Sequence, residues 1–123
     1  KFYNVEIICL AGFMKILSKN FIDNFKDRIL NIHPSLLPKY KGLNTHARAI
    51  ASNDSIAGCS VHLVTPELDG GPVLAQSEVV IKKNENEKSL ALKVLFEEHI
   101  LYPKVLFSFS NQIRKTLDSE NCE

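Results

Sequence analysis

The sequence predicts an α/β domain built on a mostly parallel sheet that ends in an antiparallel C-terminal hairpin. Three observations carry this expectation. Val5-Glu6-Ile7-Ile8-Cys9-Leu10-Ala11 and Arg28-Ile29-Leu30-Asn31-Ile32-His33 are short, apolar-rich, β-branched runs, the pattern of strands covered on both faces. A helical stretch lies between them, so strand, helix and strand follow in the order of a parallel crossover. Further on, two runs with strand character, residues 58–65 and 73–81, flank a turn rich in Pro and Gly across which they can pair.

The first strand closes at Gly12, and residues 13–17 connect it to a helix over about residues 19–26. Ser18 is a good N-cap for that helix, and Phe21, Ile22 and Phe25 share one of its faces. The second strand stops just past His33, because Pro34 removes a backbone donor and fixes φ. Residues 34–44 form a long loop with Pro38-Lys39-Tyr40-Lys41-Gly42 at its tip. Loops of this length inside a compact domain are more often functional than incidental. Thr45 can cap a short helix from His46 to about Ser52, packing through Ala47, Ile50 and Ala51, with Asn53-Asp54 as its exit turn. Residues 58–65 alternate with period two, placing Ser60 and His62 on one face and Val61 and Leu63 on the other, and Pro66 stops them. Residues 82–88 are a polar run, the composition of a solvated loop. Ser89, or a residue just before it, opens a long helix with Leu90, Val94, Leu95, Ile100 and Leu101 as its apolar stripe. Pro103 is placed to kink it, residues 107–113 continue the amphipathic pattern, and residues 118–123 look frayed.

Length and composition narrow the class. A chain of 123 residues suits one domain, and 45% hydrophobic with 24% charged residues is the balance of a soluble globular protein. No apolar run approaches the ~18 residues needed to span a bilayer. A net charge of +1 offers no general attraction for nucleic acid or an anionic membrane, so an anionic ligand must be held locally. Cys9, Cys59 and Cys122 are too few and too scattered for a disulfide framework or a zinc site, and read as reduced thiols of a cytoplasmic protein. No secretory signal is visible, and the start at Lys1 rather than a methionine, a few residues before a strand, predicts a piece of something longer.

Two segments carry chemistry. Asn31 and His33 are two apart on a strand, so an amide and an imidazole project side by side at its open end. An amide N–H can stabilise an oxyanion, and a histidine can polarise a carbonyl or move a proton. The plainer alternative is that both satisfy local backbone at a strand end. Pro66-Glu67-Leu68-Asp69-Gly70-Gly71-Pro72 is a tight turn that leaves Asp69 with little bulk beside it, and an aspartate before Gly-Gly is usually a turn former. Glu97, Glu98 and His99 form a polar helix face unless Glu98 points inward.

These pieces together form a recognisable string. Ala11-Gly12-Phe13-Met14-Lys15-Ile16-Leu17, Asn31-Ile32-His33-Pro34-Ser35-Leu36-Leu37-Pro38 and Glu67-Leu68-Asp69-Gly70-Gly71-Pro72 closely resemble the phosphoribosylglycinamide formyltransferase family, the folate-dependent transformylases of purine synthesis, in register from about residue 5 to about residue 109. Methionyl-tRNA formyltransferase and formyltetrahydrofolate deformylase share an Asn-x-His and a later Asp. His33-Pro34-Ser35, Leu68-Asp69-Gly70-Gly71-Pro72 and Glu98-His99-Ile100-Leu101-Tyr102-Pro103 look like the purine family instead.

The resemblance implies a Rossmann-like formyltransferase sheet whose N-terminal half is missing from this chain. Residues 1–123 would be the C-terminal catalytic and folate-binding portion of a single domain. It implies Asn31, His33 and Asp69 as catalytic residues for attack of the glycinamide ribonucleotide amine on the formyl carbon of 10-formyltetrahydrofolate, a co-substrate, with no metal required. Asn31 and His33 would donate to the oxyanion, while Asp69 would favour the imidazolium and relay the amine's proton through a water. Folate would lie against Met14, Lys15, Ile16 and Leu17 and in the loop of Val64, Thr65, Glu67, Leu68 and Asp69. Pro34 and Glu98 would meet the substrate, Glu98 near its amine. The partners implied are these two small molecules, not nucleic acid or membrane, with a homodimer or a complementing N-terminal half completing the sheet. Three departures stand out: Lys15 where arginine is common, Asn44 where histidine is often found, and no Gly-Ser-Asn loop to hold the substrate phosphate. A hydrolase that deformylates the folate, and a catalytically silent folate-binding or pairing module, are the other outcomes.

Overall fold

The computed structural model describes residues 6–12 and 17–121, with side chains as far as Leu117. Val5, Phe13 and Cys122 lie outside the described residues. Seven elements follow one another: β1 (Ile8–Ala11), α1 (Lys19–Asn24), β2 (Ile29–His33), α2 (Thr45–Ala51), β3 (Ile56–Leu63), β4 (Val73–Val80) and α3 (Glu87–Asn121). The four strands form one sheet in the order β1-β2-β3-β4. β1 and β2 are parallel, joined through α1 as the crossover pattern predicts. β3 and β4 form the expected hairpin, with an irregularity at Val61/His62. The α/β fold is therefore present with a mixed sheet, and its antiparallel part begins one strand earlier than the hairpin, because β3 also runs antiparallel to β2. The loop and α2 between β2 and β3 return the chain to the end it left, which sets that direction.

Ser18 caps α1, its Oγ accepting from the Phe21 N–H at 3.2 Å. Ile22 is the buried residue of this helix, while Phe21 and Phe25 stack on each other with ring centroids 5.3 Å apart. α2 differs from expectation at its start: Asn44, in the left-handed region at φ +59°, is the N-cap, and Thr45 is already helical and buried. Thr45 and Ala49, four apart on one helix face, are its buried residues, and Ala51 is exposed. β3 spans Ile56–Leu63 and stops before Val64 and Thr65, two residues earlier than the alternation implied.

α3 begins where Asn86 Oδ1 accepts from the Ser89 N–H at 2.8 Å. It continues through Pro103. Leu90 and Val94 are wholly buried, Leu101, Tyr102 and Val105 pack beside them, and Phe109 is buried a turn further on. Leu95 and Ile100, expected in the apolar stripe, face solvent instead. The contact rows follow the i, i+4, i+7 spacing from Leu90, and Leu95 falls off that line. Burying Leu90 and Val94 contributes about 1.5–3 kcal/mol each. They meet Ile32, Ala49, Ala57, Cys59 and Val61 in the core. Tyr102 ties this helix across the sheet, its hydroxyl donating to the Leu10 carbonyl at 2.7 Å and lying 3.2 Å from that of Leu30.

Because strand residues alternate, Ile32, Cys59 and Val61 face α3, and the opposite face carries Asn31, His33, Ser60 and His62. The register sets Asn31 against His62 and His33 against Ser60. No helix among the described residues is long and apolar enough to cross a membrane.

Candidate active site

Four polar side chains converge on the sheet face away from α3: Asn31, His33, His62 and Asp69, all at most 6% exposed. Strand alternation supplies the first three. Asp69 arrives from the turn between β3 and β4, and it is Asp69 itself, at φ +50°, that takes the left-handed conformation there. Asparagine and aspartate tolerate that region better than most residues. Its Oδ2 accepts from the Gly42 N–H at 2.8 Å, so the tip of the 34–44 loop holds the carboxylate in place. Gly42 can make that turn because its φ is +86°.

The carboxylate sits between two rings. Asp69 Oδ2 is 3.5 Å from His33 Nδ1, and Oδ1 is 3.6 Å from His62 Nε2. His33 Nε2 lies 2.8 Å from the Tyr40 carbonyl, which only accepts, so Nε2 carries a hydrogen. His33 Nδ1 has no hydrogen-bond partner, and neither does Asn31 Oδ1. The group that faces this unpartnered nitrogen is the Asp69 carboxylate, which can only accept. His62 is held by Nδ1 at 3.1 Å from the Leu63 carbonyl and by Nε2 at 3.3 Å from Asn31 Nδ2. Burial pushes its pKa below the usual histidine value and the His33 charge works the same way, against the Leu63 carbonyl and Asp69, which raise it.

The 34–44 loop is anchored at several points. Ser60 Oγ donates to the Ser35 carbonyl at 2.7 Å and accepts from the Leu37 N–H and from Gln76 Nε2, both at 3.0 Å. Arg48 Nη1 on α2 donates to the carbonyls of Lys41 and Leu43 at 2.8 and 2.9 Å while its guanidinium lies 5.1 Å from the Tyr40 ring centre. The loop is thus an ordered wall of the site.

The three residues expected to act together, Asn31, His33 and Asp69, are brought together. His62 joins them, and the sequence reading gave it no role. The signal was there: two strands each carry a polar pair two residues apart, Asn31/His33 and Ser60/His62, and only the register could say that the pairs adjoin. Glu98 makes no hydrogen bond or ion pair with the group. It stands half-buried on α3, and its charge acts on the Cys59 thiol across the core-facing side of the sheet. Burial raises the pKa of Glu98, and His99 opposes that. Its neighbour Glu97 accepts from Ser77 Oγ at 2.7 Å.

Pro34 lies directly after His33, at the base of the loop. Val64 and Thr65 follow β3, with the Val64 N–H donating to the Ile29 carbonyl at 2.9 Å. Glu67 is exposed, 3.8 Å from Lys41 Nζ, and Leu68 is half-buried. Leu17 is half-buried before α1, whereas Met14, Lys15 and Ile16 lie outside the described residues. No three His, Cys, Asp or Glu side chains among the described residues are placed to hold a metal ion.

The pattern matches known proteins. The family model described as formyl transferase matches residues 1–106. Phosphoribosylglycinamide formyltransferase of Escherichia coli is 47% identical over 109 residues, covering 89% of this chain and 51% of that protein. Human trifunctional purine biosynthetic protein adenosine-3 is 39% identical over 104 residues, 85% of this chain and 10% of that protein. The crystal structure of phosphoribosylglycinamide formyltransferase from Brucella melitensis superposes with a TM-score of 0.81 at 51% identity, covering 86% of this chain and 54% of that one. The chain spans about half the length of the bacterial relatives it matches. With the model match running over most of its residues and the same fold at high identity, the chain belongs to the formyl transferase family.

Proposed function

We propose that residues 1–123 are the C-terminal catalytic and folate-binding portion of a formyltransferase domain that moves a formyl group from 10-formyltetrahydrofolate to the amine of glycinamide ribonucleotide, a cytoplasmic step of purine synthesis. The observation that carries this reading is the buried Asp69 carboxylate within 3.5 Å of His33 and 3.6 Å of His62, with the Asn31 amide beside them.

The chemistry asks for what these groups offer. As the amine attacks, the formyl oxygen gains negative charge, and an Asn31 N–H together with the unpartnered His33 Nδ1, when protonated, donate to it. The attacking amine must lose a proton, which the Asp69 carboxylate takes through a water, and N10 of the folate must gain one as its bond to the formyl carbon breaks. The folate lies along residues 14–17 and the 64–69 turn. Pro34 and Glu98 contribute to the ribonucleotide side.

The test follows both products when the native-length polypeptide is given both substrates. Formylated ribonucleotide is expected, and His33→Ala should slow its formation by about 10²–10⁴-fold while folate-dependent thermal stabilisation persists. Formate in its place would favour a deformylase. Stabilisation by folate with neither product would leave a binding or pairing module, and undiminished transfer by His33→Ala would remove His33 from the mechanism.

A further inference from the structure

His62 Nδ1 lies 3.1 Å from the Leu63 carbonyl oxygen, which can only accept, so the ring hydrogen is on Nδ1. In the neutral ring Nε2 is then an acceptor, and Asn31 Nδ2, 3.3 Å away, donates to it. This bond decides which way the Asn31 amide faces. Turned over, the amide would set its oxygen against the lone pair of Nε2, two acceptors in contact. As it stands, one hydrogen of Nδ2 is committed to His62, the second has no other partner, and Oδ1 is unpartnered.

We propose that His62 is a positioning residue for formyl transfer: neutral, with its hydrogen on Nδ1, it locks the Asn31 amide in the orientation that keeps one N–H for the oxygen of the reacting formyl group. The inference rests on the reading that Asn31 serves that oxygen. It gives the two histidines of one cluster different tasks, His33 Nδ1 turned toward Asp69 and His62 Nε2 accepting from Asn31, with the Asp69 carboxylate between the rings.

Protonating His62 would undo the lock. Nε2 would become a donor facing the Asn31 donor, the acceptor left to it would be Asp69 Oδ1 at 3.6 Å, and the amide would turn its oxygen inward. The groups that face the ring are His33 from β2, which opposes the charge, and Asp69 from the turn together with the Leu63 carbonyl, which favour it. The β4 residue paired with His62 is Val73, which carries no charge. Burial outweighs the rest and the pKa lies below the ordinary histidine value, so the ring is neutral at pH 7 and charges only as the pH falls through that lowered value.

Native-length enzyme carrying His62→Phe, which keeps a ring and removes the acceptor, should lose kcat by about 10- to 100-fold, with KM for both substrates within about 2-fold. His62→Gln, whose amide oxygen can accept from Asn31 but cannot titrate, should recover most of that loss and carry the acid limb of its kcat profile to lower pH than the unmodified enzyme. Nitrogen NMR of the ring in the unmodified protein should report the neutral Nδ1–H tautomer at pH 7. Unchanged kcat in His62→Phe, an acid limb at the same pH in His62→Gln as in the unmodified enzyme, or an Nε2–H tautomer would each overturn the proposal. Asn31→Ala separates the two levels. If it cripples transfer while His62→Phe does not, the role of His62 alone falls; if it leaves transfer intact, the underlying assignment of Asn31 falls.

Discussion

A Cβ built on Gly71 would stand 1.8 Å from the Leu63 carbonyl oxygen, whereas one on Gly70 would meet the far end of the Glu67 side chain at 2.3 Å. The adjacent glycines are therefore not equivalent. Gly71 lets two backbones approach at the neck of the turn that carries Asp69, where the Leu63 N–H donates to the Pro72 carbonyl at 2.9 Å. Gly70 is bounded by a side chain free to swing into solvent. Gly70→Ala should shift the unfolding free energy by about 1 kcal/mol or less, and Gly71→Ala should cost about 3 kcal/mol or more, because the carbonyl cannot yield without opening the hairpin. Urea unfolding of the two variants reads the difference, and equal midpoints would contradict this account of the turn. The same turn explains why Asp69 is held so firmly: its carboxylate is fixed from the opposite side by the Gly42 N–H.

At the level of elements, the start of α3 is pinned by charge. Lys93 Nζ contacts Glu85 Oε1 at 2.8 Å and also donates to the Val80 carbonyl, and Ser89 Oγ donates to Glu85 Oε2. Hydrogen bonds from Lys93 and Ser89 bring the pKa of Glu85 down to about 2. A folded-state pKa below the unfolded one means that the unfolded chain binds the proton more readily, so the contribution is fully present above the unfolded value of about 4.3 and disappears as the pH falls toward 2. Glu85→Gln should lower the melting temperature at pH 7 and leave it nearly unchanged relative to the unmodified protein at pH 2. A variant difference that persists undiminished at pH 2 would assign the effect to packing. The contact ties the helix to β4, so it bears on the sheet as well as on α3.

For the whole molecule, the two described cysteines report on different depths. Cys9 is exposed on the edge strand, while Cys59 is fully buried beneath α3. Burial, with the nearby Glu98 and Glu97 charges, pushes the Cys59 thiol up to about 12. A thiol held protonated at neutral pH and shielded from solvent is unreactive. In the folded chain of residues 1–123 an alkylating reagent at pH 8 should modify Cys9 readily and Cys59 only at the rate of global opening, which addition of urea below the transition should raise. Mass spectrometry of the time course checks this, and equally fast labelling of both would mean that the core between α3 and the sheet opens locally.

The sequence is enough to mark the described elements and the chemistry they can offer. Apolar runs, a Ser cap, a proline stop and a Gly-Gly turn are local signals, and they marked all four strands and three helices, with Asn31 and His33 side by side and Asp69 at its turn. It missed by a residue or two where neighbouring candidates compete for one role, as Asn44 and Thr45 do at the start of α2, or where periodicity leaves the buried face open, as for Leu95 and Ile100. What needed the folded chain is that β3 runs antiparallel to β2 and that Asn31 therefore meets His62. Strand direction and register depend on contacts between residues about thirty positions apart in this chain, and hydrophobic pattern within one strand carries no information about which residue on the next will stand opposite.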